Sequence, residues 1–512
     1  MNGISLRDLL AAWIDAPDLR ISGLALDSRN IQVGELFVAV QGSAQHGLHY
    51  ASAAIARGAV AILSDRAGDS ALTVPVLVLP DLQQHLGAIA TRFHGSHSTT
   101  PLLLGITGTN GKTSTVQLLA EALTRAGHRA GTIGTLGAGM HGALVAGERT
   151  TPDVLATHAA IAQMRDLQAS YVAMEVSSHA LDQGRVAGLG FAVAGFTNLT
   201  HDHLDYHGSM DAYGAAKAKL FRWPELCAAV INIDDEFGTQ LLGQARATRV
   251  ITTSALGSRD ATLRAENARA DARGIHFELV GGEHPADAQR FAIQSALLGR
   301  FNVANLLLVA GVLLALDWTL TDIAASLSQL QPVRGRMNRL GGDGELPLVV
   351  IDYAHSPDAL EKALTTLRDH TAGRLICVFG CGGDRDRSKR PLMGEIAERL
   401  ADAAIITDDN PRNEDGASIA AEVSAGMRDP RRACIERDRR EAIRMAVRMA
   451  ASADTVLIAG KGHEAYQEIN GVKHPFDDLH EAQLAMDITA AGANVSAAAH
   501  GIQAGNAGAT AA

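Results

Sequence analysis

Cysteine is scarce in this 512-residue chain, which holds four, at positions 227, 377, 381 and 434. That is too few, too widely spread, for a disulfide framework, and it predicts reduced thiols in a cytoplasmic protein. Cys377 and Cys381 miss the CxxC spacing and no second pair exists, which sets a structural zinc aside. Long apolar runs are absent too. The longest, Leu306 to Leu316, falls well short of the ~20 residues a bilayer demands. Positive charge is in deficit: Lys plus Arg number 45 against 56 Asp plus Glu, a net charge of −11. This speaks against nucleic acid or an anionic membrane as partner. The opening MNGISLRDLLAAWIDAPDLR carries acids among its apolar residues and lacks a signal-peptide layout. The expectation is a cytoplasmic monomer.

What is present is an ordinary globular composition, 47% hydrophobic and 20% charged. The length predicts about three domains at roughly 150 residues each. Two seams divide the chain, Gly95–Pro101 and the region of Gln331-Pro332. They suggest domains over 1–98, 99–332 and 333–490, and a low-complexity, disordered tail over 491–512. The first segment has strand-like runs at Ile21–Leu26, Leu36–Val40, Ala59–Leu63 and Val76–Leu79. The third alternates candidate strands (Leu348–Ile351, Leu375–Phe379, Ala404–Thr407, Val456–Ala459) with helices. Ser356-Pro357 opens one helix, and Asp438 with Glu441 has capping-box spacing before another. The fold class is therefore α/β: a small N-terminal α/β domain, a central ATPase-like domain with a mainly parallel sheet, and a C-terminal Rossmann-like doubly wound domain.

The middle segment opens on an apolar strand, Leu102–Ile106, followed by Thr107-Gly108-Thr109-Asn110-Gly111-Lys112-Thr113-Ser114 and a helix striped by Val116, Leu119, Ala120 and Leu123 that stops at Gly127. Strand, glycine-rich loop and helix make a phosphate cradle, because glycines admit the anion to backbone N–H groups and the helix dipole. Lys112 supplies a charge for the β/γ-phosphates and the Thr113 hydroxyl a ligand for Mg²⁺. Ile106 stands where the strict pattern has its first Gly, so the loop is a variant.

Downstream, Tyr171–Glu175 reads as a strand delivering a carboxylate to Val176-Ser177-Ser178-His179. The run His201-Asp202-His203-Leu204-Asp205-Tyr206-His207 approaches the binuclear zinc pattern HxHxDH, but Tyr206 replaces its last His. An ATP loop upstream favours hard oxygen ligands and Mg²⁺. Lys217, on its own, reads as a surface lysine of a helix. In the third segment each strand runs into a polar loop: Asp352–His355, Gly380–Asp386, Asp408–Arg412 and Gly460–Glu464. Ligands of open α/β sheets bind beyond the carboxyl ends of strands, so these loops predict one composite site.

Taken together, Gly108–Thr113, Glu175–His179, Asn198–His207, Ala215–Lys217, Gly335-Arg336, Asp352–His355 and Gly460–Glu464 resemble the Mur ligase family of peptidoglycan synthesis, in order and over about residues 20 to 490. The resemblance implies an ATP- and Mg²⁺-dependent ligase that joins meso-diaminopimelate to UDP-N-acetylmuramoyl-L-alanyl-D-glutamate through an acyl phosphate. It implies catalytic roles for Lys112, Lys217, Arg336 and His203. It gives ATP contacts at Gly108 to Ser114, Asn302, Asn305 and Asp352, and metal ligands at Thr113, Glu175, His203 and Lys217, the lysine carbamylated. The UDP-substrate residues it implies are Leu26, Ser28, Ser43, Ala44, Gln45, Thr150, Thr151, Ser177, Gln183 and Arg185. Arg149 departs from the Asn familiar before the Thr-Thr pair.

For the incoming amino acid the resemblance points to Arg385, Asp409, Asn410, Pro411, Arg412, Gly460 and Glu464. Diaminopimelate is lysine with a further carboxylate on its distal carbon. An arginine fork grips such a carboxylate through two parallel bonds, and Glu464 suits the ammonium at the same end. Competing readings are a folylpolyglutamate-type ligase, against which the Asp409–Arg412 loop and the N-terminal Asp27-Ser28-Arg29 speak, and a nucleotide-binding scaffold without turnover, against which Lys112, Glu175, His203 and Lys217 speak.

Overall fold

A computed structural model describes residues 3–42, 45–68, 71–95, 101–282, 288–333, 335–462 and 464–489. The expected tail over 491–512, Ser43, Ala44 and the middle of the first seam lie outside them. Contacts group the chain into two units. One takes the described residues up to Ala265 with Val280–Arg290 and Ala304–Ser326. The other takes Glu266–Leu279, Phe291–Val303 and the described residues from Leu327 onward. The architecture is α/β throughout.

In the first unit, strands Leu24–Ala25, Leu36–Ala39, Ala61–Ser64 and Val76–Val78 form a four-stranded parallel sheet in sequence order. Alternate side chains feed two cores: Leu36, Val38, Ala61 and Leu63 on one face, Phe37, Ala39 and Ile62 on the other. The single strand expected over Ile21–Leu26 is in fact two, Arg20–Ile21 and Leu24–Ala25, in different sheets. Gly23 sits at the break, where a Cβ would collide with the Glu35 side chain. Val154 and Leu155 of a later helix complete this core.

The same unit holds parallel strands in the order Ala130–Gly134, Tyr171–Glu175, Leu102–Thr107, Phe191–Phe196, Ala228–Asn232 and Arg249–Ser254. A hairpin of Gly137–Met140 and Ala143–Val145 adds antiparallel strands beside the first. Leu103, Leu104, Ile106, Val172, Ala173 and Met174 are all buried, as a sheet covered on both faces requires. Since the strands are parallel, Gly108, Thr135, Val176 and Thr197 all follow carboxyl ends at one edge.

The second unit's main sheet runs Asn338–Leu340, Leu348–Asp352, Thr455–Ala459, Leu375–Phe379, Ala403–Ile406 and Ala433–Ile435, parallel except for the first strand. Leu375, Cys377 and Phe379 face one core, Ile376 and Val378 the other. All four cysteines are free. Burial makes Cys377 a core residue and pushes the Cys381 thiol up to about 11, so both are inert at neutral pH. Ser356 caps the helix Pro357–Arg368 and Asp438 caps Arg439–Met449. Glu441 does not close the box, because its carboxylate takes Arg444 while Glu436 accepts the Asp438 N–H at 2.9 Å.

Candidate active site

The phosphate loop joins the Leu102–Thr107 strand to the helix Lys112–Arg125. Gly108 (φ +143°) and Gly111 (φ +85°) take backbone conformations that side chains rarely adopt, and a Cβ on either would collide, with Thr197 and Asn305 respectively. Lys112 folds back so that its ammonium donates to the carbonyls of Gly108 (2.9 Å) and Thr109 (2.7 Å). Asn198 braces the loop, accepting from Thr109 N (2.8 Å) and, through its side chain, from Asn110 N (3.0 Å). Ser114 is half-buried in the helix's first turn.

Behind the loop lies Glu175, 1% exposed, at the end of the neighbouring strand. It accepts from the Thr113 hydroxyl (2.9 Å) and from the backbone N–H (2.8 Å) and hydroxyl (3.3 Å) of Thr135. Burial nonetheless pushes its carboxyl above the ordinary range, against the pull of the Thr135 N–H and of Lys112. Lys217 is also 1% exposed, which overturns the surface-lysine reading of its helix. Its amine donates to Gly108 O at 2.8 Å and sits 4.3 Å from the centre of the Tyr213 ring. Desolvation, with the Lys112 charge nearby, holds it well below the usual lysine range. Burial thus favours the uncharged form of this amine over the ammonium.

His203 takes a left-handed backbone conformation and stacks edge-on with His179 at 4.9 Å and with Tyr213 at 6.1 Å. The Tyr213 hydroxyl lies 3.1 Å from Thr109 Oγ1, which links this ring cluster to the phosphate loop. Among the described residues no three of His, Cys, Asp and Glu come together as a metal site. The candidate set instead combines Glu175 with a hydroxyl, an imidazole and the Lys217 amine.

The residues expected around the UDP-linked substrate gather in the same unit. Thr151, fully buried, donates to Glu175 O at 2.7 Å, and Thr150 lies 3.0 Å from Thr135 through their hydroxyls. Ser177 caps the helix Ser178–Asp182. Arg185 donates to Thr151 O (3.0 Å) and to Gln183 Oε1 (2.6 Å). Leu26 and Ser28 flank Asp27, whose carboxylate is gripped by Arg29 at 2.6 Å; that hydrogen bond holds its pKa down, with Arg149 adding a smaller pull. Arg149 also lowers the Arg185 pKa, after burial, so basic groups converge here. Gln45 is exposed, beside the His46 that binds Asp65 at 2.7 Å.

In the second unit, Asn302 turns its amide onto Leu298 O at 2.7 Å. Asp352 accepts from Met337 N (3.0 Å); burial raises its carboxyl while the Arg336 charge opposes. Arg336 is exposed. Lys389 donates to His355 O at 2.7 Å, tying the first turn of its helix to the Asp352–His355 loop.

The loop after Ala403–Ile406 carries Asp409, Asn410, Pro411 and Arg412. Arg412 adopts φ +52° and its backbone is paired with the hairpin Tyr466–Ile469/Val472–Pro475: it donates to Glu468 O (3.0 Å) and accepts from Asn470 N (2.7 Å). Its guanidinium donates to Gly383 O (2.7 Å) and lies 3.3 Å from Glu468 Oε2. Asn410 donates to Glu464 Oε2 at 2.9 Å, and Gly460, at φ +124°, passes close to Asp409. Arg385 is exposed on the adjoining loop. Lys461, absent from the expected set, is buried among these groups. Its only sequence signal was a place in a loop already chosen for its ends.

Comparison with known proteins matches residues 20–94 to "Mur ligase family, catalytic domain", 106–313 to "Mur ligase middle domain" and 335–462 to "Mur ligase, glutamate ligase domain". A Xanthomonas campestris protein named UDP-N-acetylmuramoyl-L-alanyl-D-glutamate--2,6-diaminopimelate ligase is 54% identical over 490 residues, covering 95% of this chain and 98% of its own. A Xylella fastidiosa protein of the same name is 53% identical over 493 residues, 96% and 98% of the two chains. A solved structure of an enzyme with that name superposes with a TM-score of 0.72 at 37% identity, covering 95% of this chain and 99% of that one. With a phosphate cradle, a buried carboxylate, a buried lysine and relatives this similar over nearly its whole length, the chain belongs to the Mur ligase family.

Proposed function

We propose that the chain is an ATP-dependent ligase that joins meso-diaminopimelate to the D-glutamyl carboxylate of UDP-N-acetylmuramoyl-L-alanyl-D-glutamate, in the cytoplasmic synthesis of peptidoglycan precursors. The observation that carries the reading is the buried Lys217 amine beside the phosphate loop, in a chain 54% identical to proteins named for this reaction. An isolated buried ammonium is so costly that the group sheds its proton. A free amine attacks the carbon of carbon dioxide, its nitrogen gives up one proton to water, and the resulting carbamate is an anion.

A divalent cation suits these surroundings. Glu175 is a carboxylate whose pKa is raised by burial, against the pull of the Thr135 N–H and of Lys112, and an anionic Lys217 would add negative charge to these surroundings. Thr113, Glu175, His203 and carbamylated Lys217 would hold Mg²⁺, which when bound neutralises phosphate charge. Lys112 and the N–H groups of the loop hold the ATP phosphates. Phosphoryl transfer to the D-glutamyl carboxylate makes an acyl phosphate, the amine of the amino acid attacks it, and phosphate leaves. Arg336 stabilises charge on the transferred group, and Asn302, Asn305 and Asp352 hold the nucleotide. Arg149 and Arg185 meet the anionic UDP substrate. Arg412 and Arg385 read the distal carboxylate of diaminopimelate, and Glu464 its ammonium.

Phosphate release from ATP tests the reading. Release should require both the UDP-linked dipeptide and meso-diaminopimelate. Release with either substrate alone, or equal release with L-lysine, would refute it.

A further inference from the structure

Lys461 is 0% exposed, closed off from solvent in this structure. It nevertheless lies between two carboxylates of the amino-acid pocket, 3.4 Å from Asp409 Oδ1 and 3.8 Å from Glu464 Oε2. Its ammonium donates to Asn410 Oδ1 and to Tyr466 O, each at 2.8 Å. The same Asn410 oxygen accepts the Glu468 backbone N–H at 2.9 Å, while Asn410 Nδ2 donates to Glu464 Oε2 at 2.9 Å.

These partners leave the Asn410 amide one orientation. An ammonium and a peptide N–H only donate, and a carboxylate only accepts. A flipped amide would point its NH₂ at two donors and its oxygen at an anion. Lys461 is the cation that donates to the Asn410 side chain directly. The neighbouring Arg439 is bound on two sides by Asp478, at 2.7 Å each, and its remaining described bond goes to Ala459 O. Burial lowers the Lys461 pKa, and the Asp409 charge works against that.

We infer that Lys461 is a positioning residue for the incoming amino acid: it locks the Asn410 amide so that Nδ2 aims the Glu464 carboxylate at the substrate's distal ammonium. The inference rests on the reading of this pocket as the diaminopimelate site. Its chemistry is indirect. Lys461 moves no proton and meets no ligand, and its effect runs through the orientation of one side chain.

A double-mutant cycle tests it, with the full-length chain and phosphate release as the assay. Lys461→Met should raise the KM for diaminopimelate roughly tenfold to a hundredfold, the value of one buried charged hydrogen bond. The KM values for ATP and for the UDP-linked dipeptide should stay within about twofold. Added to Asn410→Ala, the same substitution should cost less than about threefold more, because the side chain it acts through is gone. Lys461→Gln keeps a donor without the charge and should retain most of the diaminopimelate affinity, which covers the case that Lys461→Met does not fold. Additive effects, a shift of all three KM values together, or a full loss in a well-folded Lys461→Gln would overturn the inference while leaving the ligase reading intact. A wild-type protein whose phosphate release ignores diaminopimelate would instead remove the reading, and the inference with it.

Discussion

The Thr113 hydroxyl donates to the Glu175 carboxylate across 2.9 Å, tying the first turn of the phosphate-loop helix to the end of the adjacent parallel strand. The register that pairs Glu175 with Ile106 puts the two within reach. A nucleotide cradle and a buried anion are thus built by one strand pairing.

Lys217→Ala should lower kcat by roughly 10²-fold or more, the scale of losing a preorganised charge at the reacting centre. Short-chain carboxylates such as formate should restore part of the rate by supplying the missing anion. Steady-state assays with and without formate measure this; an unrescued variant removes the carbamate from the mechanism.

Arg412→Lys should raise the KM for diaminopimelate by roughly tenfold to a hundredfold while leaving that for ATP nearly unchanged, since a point charge replaces a planar fork. Equal effects on both substrates would place Arg412 outside the amino-acid pocket.

Asp478→Ala should cost about 3–5 kcal/mol of stability, because it strands the fully buried Arg439 guanidinium without its anion. Urea denaturation reads this directly. A loss near zero would mean that water reaches Arg439.

Stability should fall between about pH 6.5 and 4 in a way that His94 controls. Burial, with the nearby His158 and Arg165, lowers its pKa from 6.5 to about 4 in the folded state. The unfolded chain therefore takes up the proton first, so the contribution is complete above pH 6.5 and disappears as the pH drops toward 4. His94→Gln should flatten melting temperature against pH over that window; an unchanged slope would assign it to other groups.

Much of this was legible from residue order. Leu375–Phe379 is a strand over the expected residues, and the helix at Lys112 stops before Gly127, whose φ is +89°. These are local signals, set by apolar runs and by a glycine that accepts a left-handed turn. The polar loops of the third segment do follow strand ends. Lys217 was different. Its neighbours in sequence, Ala216 and Ala218, say nothing about a phosphate loop more than a hundred positions earlier, and only the family resemblance marked it. Lys461 was harder still, because its partners Asn410 and Asp409 come from a distant loop. The antiparallel hairpin at Tyr466–Pro475 was also missed: its side chains are mostly exposed or half-buried, so no apolar alternation announces it.

That hairpin braces Arg412 through backbone bonds to Glu468 and Asn470. Two segments more than fifty positions apart in the chain must therefore meet before the backbone of Arg412 is held. A proteolytic nick between Arg412 and Tyr466 would leave that pairing dependent on noncovalent contacts alone, so limited digestion there is a direct probe of how firmly the loop is held.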